Sequence, residues 1–314
     1  MKGIIFLFDG QGAFRPGIGN DIYERYPRAK AVIDHSSEVL GYDLTGYLWG
    51  DRAAETSSKT SVAQPAISTV SLAYADVLRD IGVEGTVSLG HSLGEATAAI
   101  YCGIASFDDG IRMIKKRGEV MEAAGGKGAM MAVLNIEQPA LEEMCRKVTA
   151  EISEPVVVAN INAPNQIVIS GSHEAIKRVA QSVAENQGRA IALNVGGAWH
   201  SPHLKSAAEN FAGFLDGIAF KEPKRWFYSV VEQKILDDPA VIKQSLKDQM
   251  LAQVNWVQAV RNLRAIGYLS FLEIGPSKIL KDLVTRIDSG AAVDSVALHG
   301  ELEKIKLLGS NLNI

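Results

Sequence analysis

The sequence predicts an α/β fold: a parallel sheet covered on both faces by helices, with a smaller α/β unit inserted into it. Three observations predict this. Short apolar runs rich in β-branched and aromatic residues alternate with stretches of helical periodicity, the pattern of a sheet buried on both faces. A glycine-rich joint near residue 125 changes the texture, and residues 128–195 then read β-α-β-β-α-β, the ferredoxin-like pattern. The length, 314 residues, suits one large domain carrying a small one. The expected division is a large unit of 1–125 and 198–314 with an inserted unit of 126–197.

The elements follow in chain order. "GIIFLF" (3–8) is a buried strand that stops at the turn "DGQG". Residues 21–40 show helical spacing, as does 66–82, where Gly82 serves as the C-cap. "TVSLG" (86–90) is a second buried strand, followed directly by the helix "EATAAIYCGI". After the joint come an apolar strand ending near "AVLNI", a helix over 137–149, the strand "PVVVANIN", a turn "APNQ" and the strand "IVISG". The helix "SHEAIKRVAQSVAENQG" and the strand "RAIALNV" close the insert. A helix over 203–218, a charged variable stretch, a helix over 256–266, the strand "LSFLEIGP" and a helical tail complete the chain, with "GSNLNI" frayed at its end.

Composition excludes several function classes. Apolar residues make up 47% and charged residues 22%, the balance of an ordinary globular protein rather than a disordered or fibrous one. The net charge of −4, with no basic stripe, argues against nucleic acid or an anionic membrane as partner. Cys102 and Cys145 are too few for a disulfide framework and lack metal spacing, so no metal is expected and a reducing compartment fits. The N-terminal apolar run reaches Asp9 too soon for a signal peptide or a spanning helix, and a cytoplasmic protein is the simplest reading.

Chemistry concentrates at "GHSLGE". Gly90-His91-Ser92-Leu93-Gly94 fits G-x-S-x-G in the context that motif requires: strand, sharp turn, helix. Such an elbow lifts a serine hydroxyl to a helix N-terminus, where the Leu93 amide can face a developing oxyanion. The same five residues also fit a plain turn with Ser92 as N-cap, and the pattern alone does not choose.

A serine nucleophile needs a base, usually histidine. His35 and His173 read as surface residues, His299 lies in the tail, and His91 should point away from its neighbour Ser92 as structural support. "NVGGAWHSPHL" places His200 and His203 where the insert hands back to the large unit, the place for an interdomain cleft. His200 is the stronger candidate. "GQG" (10–12) follows the first strand and so reaches the same carboxyl edge of the sheet. Arg117 lies in a helix otherwise aimed at the core, where a surface role or a salt bridge is the ordinary alternative, and Asn162 lies beside a turn.

Taken together, "FLFDGQG", "QPAIS", "GHSLGE", "KKRGEVMEAA", "GAMMAV", "NINAPNQIVISG", "AWHSPHL", "QVNW" and "FLEIGPSKIL" resemble the malonyl-CoA:acyl-carrier-protein transacylases and the acyltransferases of polyketide synthesis. The match covers nearly the whole chain, with the motifs in order. It implies an α/β-hydrolase-like large domain with a ferredoxin-like insert. It also implies that Ser92 accepts the acyl group and that His200 is its base, without an acidic third member. Gln249 is similar to the glutamine that orients the histidine, and Gln11 and Leu93 to the oxyanion donors. Arg117 matches the arginine that binds the malonyl carboxylate, for which a planar guanidinium is suited. His91, Asn162, Phe14 and Trp199 are the remaining expected substrate contacts. The implied substrates are malonyl-CoA and the phosphopantetheine of an acyl carrier protein, with no cofactor of the enzyme's own.

The chain departs from the family pattern in places. Asp9 stands for the usual proline of the first loop, and Phe14 for its second glutamine, beside the oxyanion hole. Trp199 precedes the histidine where a smaller side chain is common, which should narrow the acyl pocket against α-branched groups such as methylmalonyl. Gln253 and Asn255 replace a proline and a basic residue. Two other readings stand beside malonyl transfer: an acyl hydrolase of the same fold, and a docking module without chemistry. Retention of Arg117 opposes the first, and intact Ser92, His200 and Gln11 oppose the second.

Overall fold

The computed structural model describes residues 3–297. In chain order the strands are β1 (Ile4–Phe8), β2 (Gly85–Gly90), β3 (Ala129–Leu134), β4 (Val156–Ala163), β5 (Gln166–Gly171), β6 (Arg189–Ala192), β7 (Trp226–Ser229), β8 (Lys234–Leu236), β9 (Val254–Asn255), β10 (Ser270–Ile274) and β11 (Ala292–Ser295). Among the described residues, one sheet runs β11-β10-β1-β2-β7-β8, parallel except for the β7–β8 hairpin. The other runs β6-β3-β5-β4-β9.

β1 explains why its sequence is a continuous apolar run. Successive side chains point to opposite faces, and both faces are covered: Phe6 and Phe8 enter one core, Ile5 and Leu7 another. All four are fully buried, and each such burial contributes about 1.5–3 kcal/mol. The helices Pro27–Leu40, Thr60–Asp80, Leu93–Tyr101 and Phe107–Ala123 supply the first core; Trp256–Ala265 and Ile279–Ile287 supply the second.

The second sheet has antiparallel neighbours from β6 to β4 and packs one face against the helices Gln138–Ile152 and His173–Glu185 through Val133, Ile167, Ile169, Leu141 and Val179. Its other face, with Met130, Ala132 and Val168, joins the first core. β9 pairs parallel with β4, so a strand from beyond residue 250 completes this sheet.

The structure corrects several element boundaries. The single helix expected over 21–40 is two, Asn20–Arg25 and Pro27–Leu40, because Tyr26 is held extended before Pro27, as a residue preceding proline prefers. The helix expected from residue 66 begins at Thr60, with Pro65 inside its first turns. Gly82 takes the left-handed conformation (φ 77°) expected of a helix end. The expected helical tail is a helix, Ile279–Ile287, followed by edge strand β11. The charged variable stretch holds β7, β8 and the helix Pro239–Asp248. The segment "GSNLNI" and His299 lie outside the described residues.

Candidate active site

Ser92 joins β2 to the helix Leu93–Tyr101 with φ 53° and ψ −106°, a conformation that costs an ordinary residue about 1–3 kcal/mol. The flanking glycines make the turn possible. A Cβ on Gly90 would fall 1.9 Å from the Gly94 carbonyl carbon, and one on Gly94 would fall 1.9 Å from the Phe8 carbonyl oxygen. Strand, turn and helix therefore close only with glycine at both places. Leu93, as the first helical residue, has no carbonyl a turn behind it to occupy its amide.

His200 also sits at positive φ, 55°, and is buried. Its Nε2 lies 2.7 Å from Ser92 Oγ. Its Nδ1 lies 3.1 Å from the Gln249 carbonyl oxygen and 3.0 Å from that of Ala252. Two acceptors at Nδ1 assign the proton there, which leaves the Nε2 lone pair free to accept the serine proton. Burial, then the nearby positive charge of Arg117, lowers the His200 pKa to about 3, so the imidazole is neutral at pH 7. Gln249, expected to orient the histidine, faces it with its main-chain carbonyl, while its side chain turns elsewhere.

That side chain lies at the centre of a buried polar cluster. Gln249 Nε2 donates to the Ser92 carbonyl at 2.5 Å and to Glu95 Oε2 at 3.1 Å, and its Oε1 accepts from Arg117 Nη2 at 2.8 Å. Arg117, only 1% exposed, also donates from Nη2 to Ser92 Oγ at 3.2 Å and from Nη1 to Gln64 Oε1 at 2.9 Å. Burial brings its pKa down to about 10, which leaves it cationic at neutral pH. Glu95 accepts the Val230 amide at 2.9 Å, and burial pushes its pKa up to about 7. Arg117 is therefore buried and, among the described residues, makes no direct salt bridge. Its hydrogen bonds go to neutral groups, beside the nucleophile.

Gln11 is held by its side chain: Nε2 donates to Thr60 Oγ1 at 3.1 Å, and Oε1 accepts from Gln64 Nε2 at 3.1 Å. Its backbone lies in the short 3-10 turn Gln11–Ala13 after β1. A cavity of about 350 Å³ opens in front of these groups, lined by Gln11, Ser92, His200, Met121, Met130 and Trp199 among others. His91 lines the same cavity instead of pointing away, with Nε2 2.8 Å from Asn162 Oδ1. Trp199 is buried against the glycine pairs of the joint: a Cβ on Gly197 would fall 2.7 Å from the indole. Phe14 is half-buried against the first core and is not among the side chains lining this cavity. His203 bonds the Pro155 carbonyl at 3.2 Å and does not face Ser92. His35 pairs with Glu38 and Asp108 at the surface, and His173 is exposed. Gln253 ties to the β4 carbonyl of Val158 at 3.0 Å, and Asn255 caps the helix Trp256–Ala265.

Three contributors were not singled out from the sequence: Gln64, Glu95 and the Ala252 carbonyl. The first two carried a signal, a polar residue inside an apolar helical run in "QPAIS" and "GHSLGE". The third had none, because any residue brings a carbonyl. Among the described residues, no cluster of His, Cys, Asp and Glu could hold a metal ion, and no helix is long and apolar enough to cross a membrane.

The family profile described as acyl transferase domain matches residues 5–306. The malonyl CoA-acyl carrier protein transacylase of Bacillus subtilis is 37% identical over 292 residues, 92% of this chain and 91% of the relative. A crystal structure of the Clostridium perfringens malonyl CoA-acyl carrier protein transacylase superposes with TM-score 0.92 at 33% identity, covering 99% of this chain and 98% of that one. A malonyl-transacylase solved with a type II polyketide synthase acyl-carrier protein gives 0.94 at 29% identity, covering 98% and 100%.

Proposed function

The chain belongs to the acyl transferase domain family, and from that premise we infer that it moves a malonyl group from malonyl-CoA to the phosphopantetheine thiol of an acyl carrier protein, in fatty-acid or polyketide synthesis. The observation that carries the choice of acyl group is Arg117: a buried cation 3.2 Å from the nucleophile, with no carboxylate bonded to it among the described residues. An enzyme for uncharged acyl groups gains nothing from desolvating a guanidinium there. Glu95 acts on the guanidinium only through space, and a carboxylated acyl group supplies a directly bonded anion through a two-pronged pair.

The reaction follows from the proton positions. Ser92 Oγ gives its proton to His200 Nε2 and attacks the thioester carbonyl of malonyl-CoA. The oxyanion is met by the amides of Gln11 and Leu93. The C–S bond breaks, and the His200 proton leaves on the CoA sulfur. The carrier's thiol then gives its proton to His200 Nε2, its sulfur attacks the serine ester, and Ser92 Oγ leaves with the proton. The two main-chain carbonyls at His200 Nδ1 stabilise the transient imidazolium, the task an acidic residue performs in a triad.

The reading assigns the large unit, 1–125 with 198–314, the nucleophile, base and arginine, and the insert, 126–197, one wall of the acyl cavity. It requires no cofactor bound to the enzyme and places the reaction in the cytoplasm. Its test is intact-protein mass after brief incubation with malonyl-CoA. A malonyl adduct should appear on the wild type, be absent from Ser92→Ala, persist, and disappear when phosphopantetheinylated carrier protein is added. An adduct that decays to free acid without carrier would instead identify a hydrolase.

A further inference from the structure

The first loop departs from the family pattern at Asp9, and the structure gives that departure partners. Asp9 follows β1 and is buried, as is Glu273 in neighbouring strand β10. Between them lies Ser277, whose Oγ is 2.7 Å from Asp9 Oδ1 and 2.8 Å from Glu273 Oε1. The Ser277 amide also donates to Asp9 Oδ2 at 3.2 Å. Room for the carboxyl comes from Gly275, where a Cβ would fall 2.2 Å from Asp9 Oδ2.

A hydroxyl has one proton, so Ser277 cannot donate to both carboxyls; one of them must donate to it. Glu273 accepts two amides of the helix Ile279–Ile287, Leu280 at 3.1 Å and Lys281 at 2.8 Å, and that helix end favours an anion. Asp9 has one amide. The proton therefore belongs to Asp9, and burial together with the Glu273 charge drives its pKa up accordingly. Ser277 Oγ then accepts from Asp9 and from the Ile279 amide at 3.2 Å and donates to Glu273, its full complement.

We propose that Asp9 is a positioning residue for acyl transfer: through Ser277 and Glu273 it clamps the loop that carries Gln11 to the start of the helix Ile279–Ile287. Gln11 lies two residues from Asp9, and its side chain already ties the other end of the loop to Thr60 and Gln64. Ile279, Leu280 and Leu283 of the clamped helix line the acyl cavity. The clamp thus fixes the Gln11 amide and one cavity wall to each other. This rests on the reading of Gln11 as an oxyanion donor.

The test is the rate of Ser92 malonylation under single-turnover conditions, with melting temperature followed in parallel, for wild type, Asp9→Leu, Asp9→Asn and Ser277→Ala. Loss of a whole oxyanion donor costs roughly 100- to 1,000-fold, and a loosened one should cost about 10- to 100-fold. That loss is expected in the maximal loading rate of Asp9→Leu and Ser277→Ala, with the half-saturating malonyl-CoA concentration unchanged within about twofold, because only the transition state uses the amide. Asp9→Asn, whose Nδ2 can donate to Ser277 as the acid does, should stay within about threefold of wild type. Wild-type loading rates in Asp9→Leu and Ser277→Ala overturn the clamp, as does an Asp9→Asn enzyme as slow as Asp9→Leu. If Asp9→Leu does not fold, Ser277→Ala and Asp9→Asn decide. A wild type that does not load malonyl would count against the transferase reading itself, a separate result.

Discussion

Replacing Arg117 by alanine should abolish the preference for malonyl while leaving acetyl loading largely intact. Among the described residues the guanidinium is bonded to Gln64, Gln249 and Ser92, all neutral, so on the proposed function a malonyl carboxylate would be its directly bonded anion. A hydrogen bond between charged partners contributes about 1.5–3 kcal/mol, and a two-pronged pair therefore about 3–6 kcal/mol. With each 1.36 kcal/mol worth a factor of ten, kcat/KM for malonyl loading should fall by about 10²- to 10⁴-fold. Acetyl-CoA has no carboxylate to lose, and its loading should change by less than about tenfold. Arg117→Lys keeps the charge without the fork and should recover only part of the loss. The assay is quenched single-turnover loading read by intact mass, with each donor separately. Removal of a buried arginine also leaves Gln64 and Gln249 short of a donor, which lowers stability for both substrates alike, so the ratio of the two rates is the informative quantity. Malonyl and acetyl loading that fall by the same factor would refute the assignment.

The other predictions concern the base, the pocket and the turn. Because His200 is neutral far below the usual imidazole range, kcat/KM should hold down to about pH 5, where an imidazole of pKa 6.5 is only about 3% neutral; an acid limb near pH 6.5 contradicts this. The same depression means that the unfolded chain binds the proton first, so this residue's contribution to stability is lost as pH falls from about 6.5 towards 3, which melting curves across that range would register. Trp199→Phe should raise methylmalonyl loading relative to malonyl by about 10-fold or more, since one extra carbon in an apolar pocket is worth about 1–3 kcal/mol; an unchanged ratio would clear Trp199 as a size gate. Gly94→Ala should destabilise by about 3 kcal/mol or more, because its Cβ would meet the Phe8 carbonyl at 1.9 Å; an unaltered melting temperature would mean that the turn is looser than described.

The nucleophile elbow was legible because its chemistry is local: Gly90 and Gly94 are written beside Ser92, and the strand and helix they join have periods of their own. His200 was legible through its place beside two glycines at a joint, and the structure shows those glycines seating the Trp199 indole. The region 219–255 was opaque. Its strands are short, β8 of three residues and β9 of two, and take their order from neighbours rather than from propensity. The orienting groups of His200 come from there as main-chain carbonyls, which leave no mark on a sequence. Phe14 was harder to place for a related reason: adjacency to the loop of Gln11 fixes its position but not its side-chain direction, and the ring lies half-buried against the first core.

The pairing of β9 with β4 bears on how such enzymes can be recombined. An insert cut at 126 and 197 and grafted into a relative would arrive with the outer edge of β4 unpaired, because its fifth strand stays behind in the donor. The recipient's own segment would have to seat there instead. In this chain that segment follows directly on Ala252, whose carbonyl holds His200. A poor seam would therefore show itself first as a mis-set base in a protein that still folds, and chimeras screened only for solubility would pass while transferring nothing. Recombination boundaries drawn to keep residues 249–255 with the insert avoid that failure.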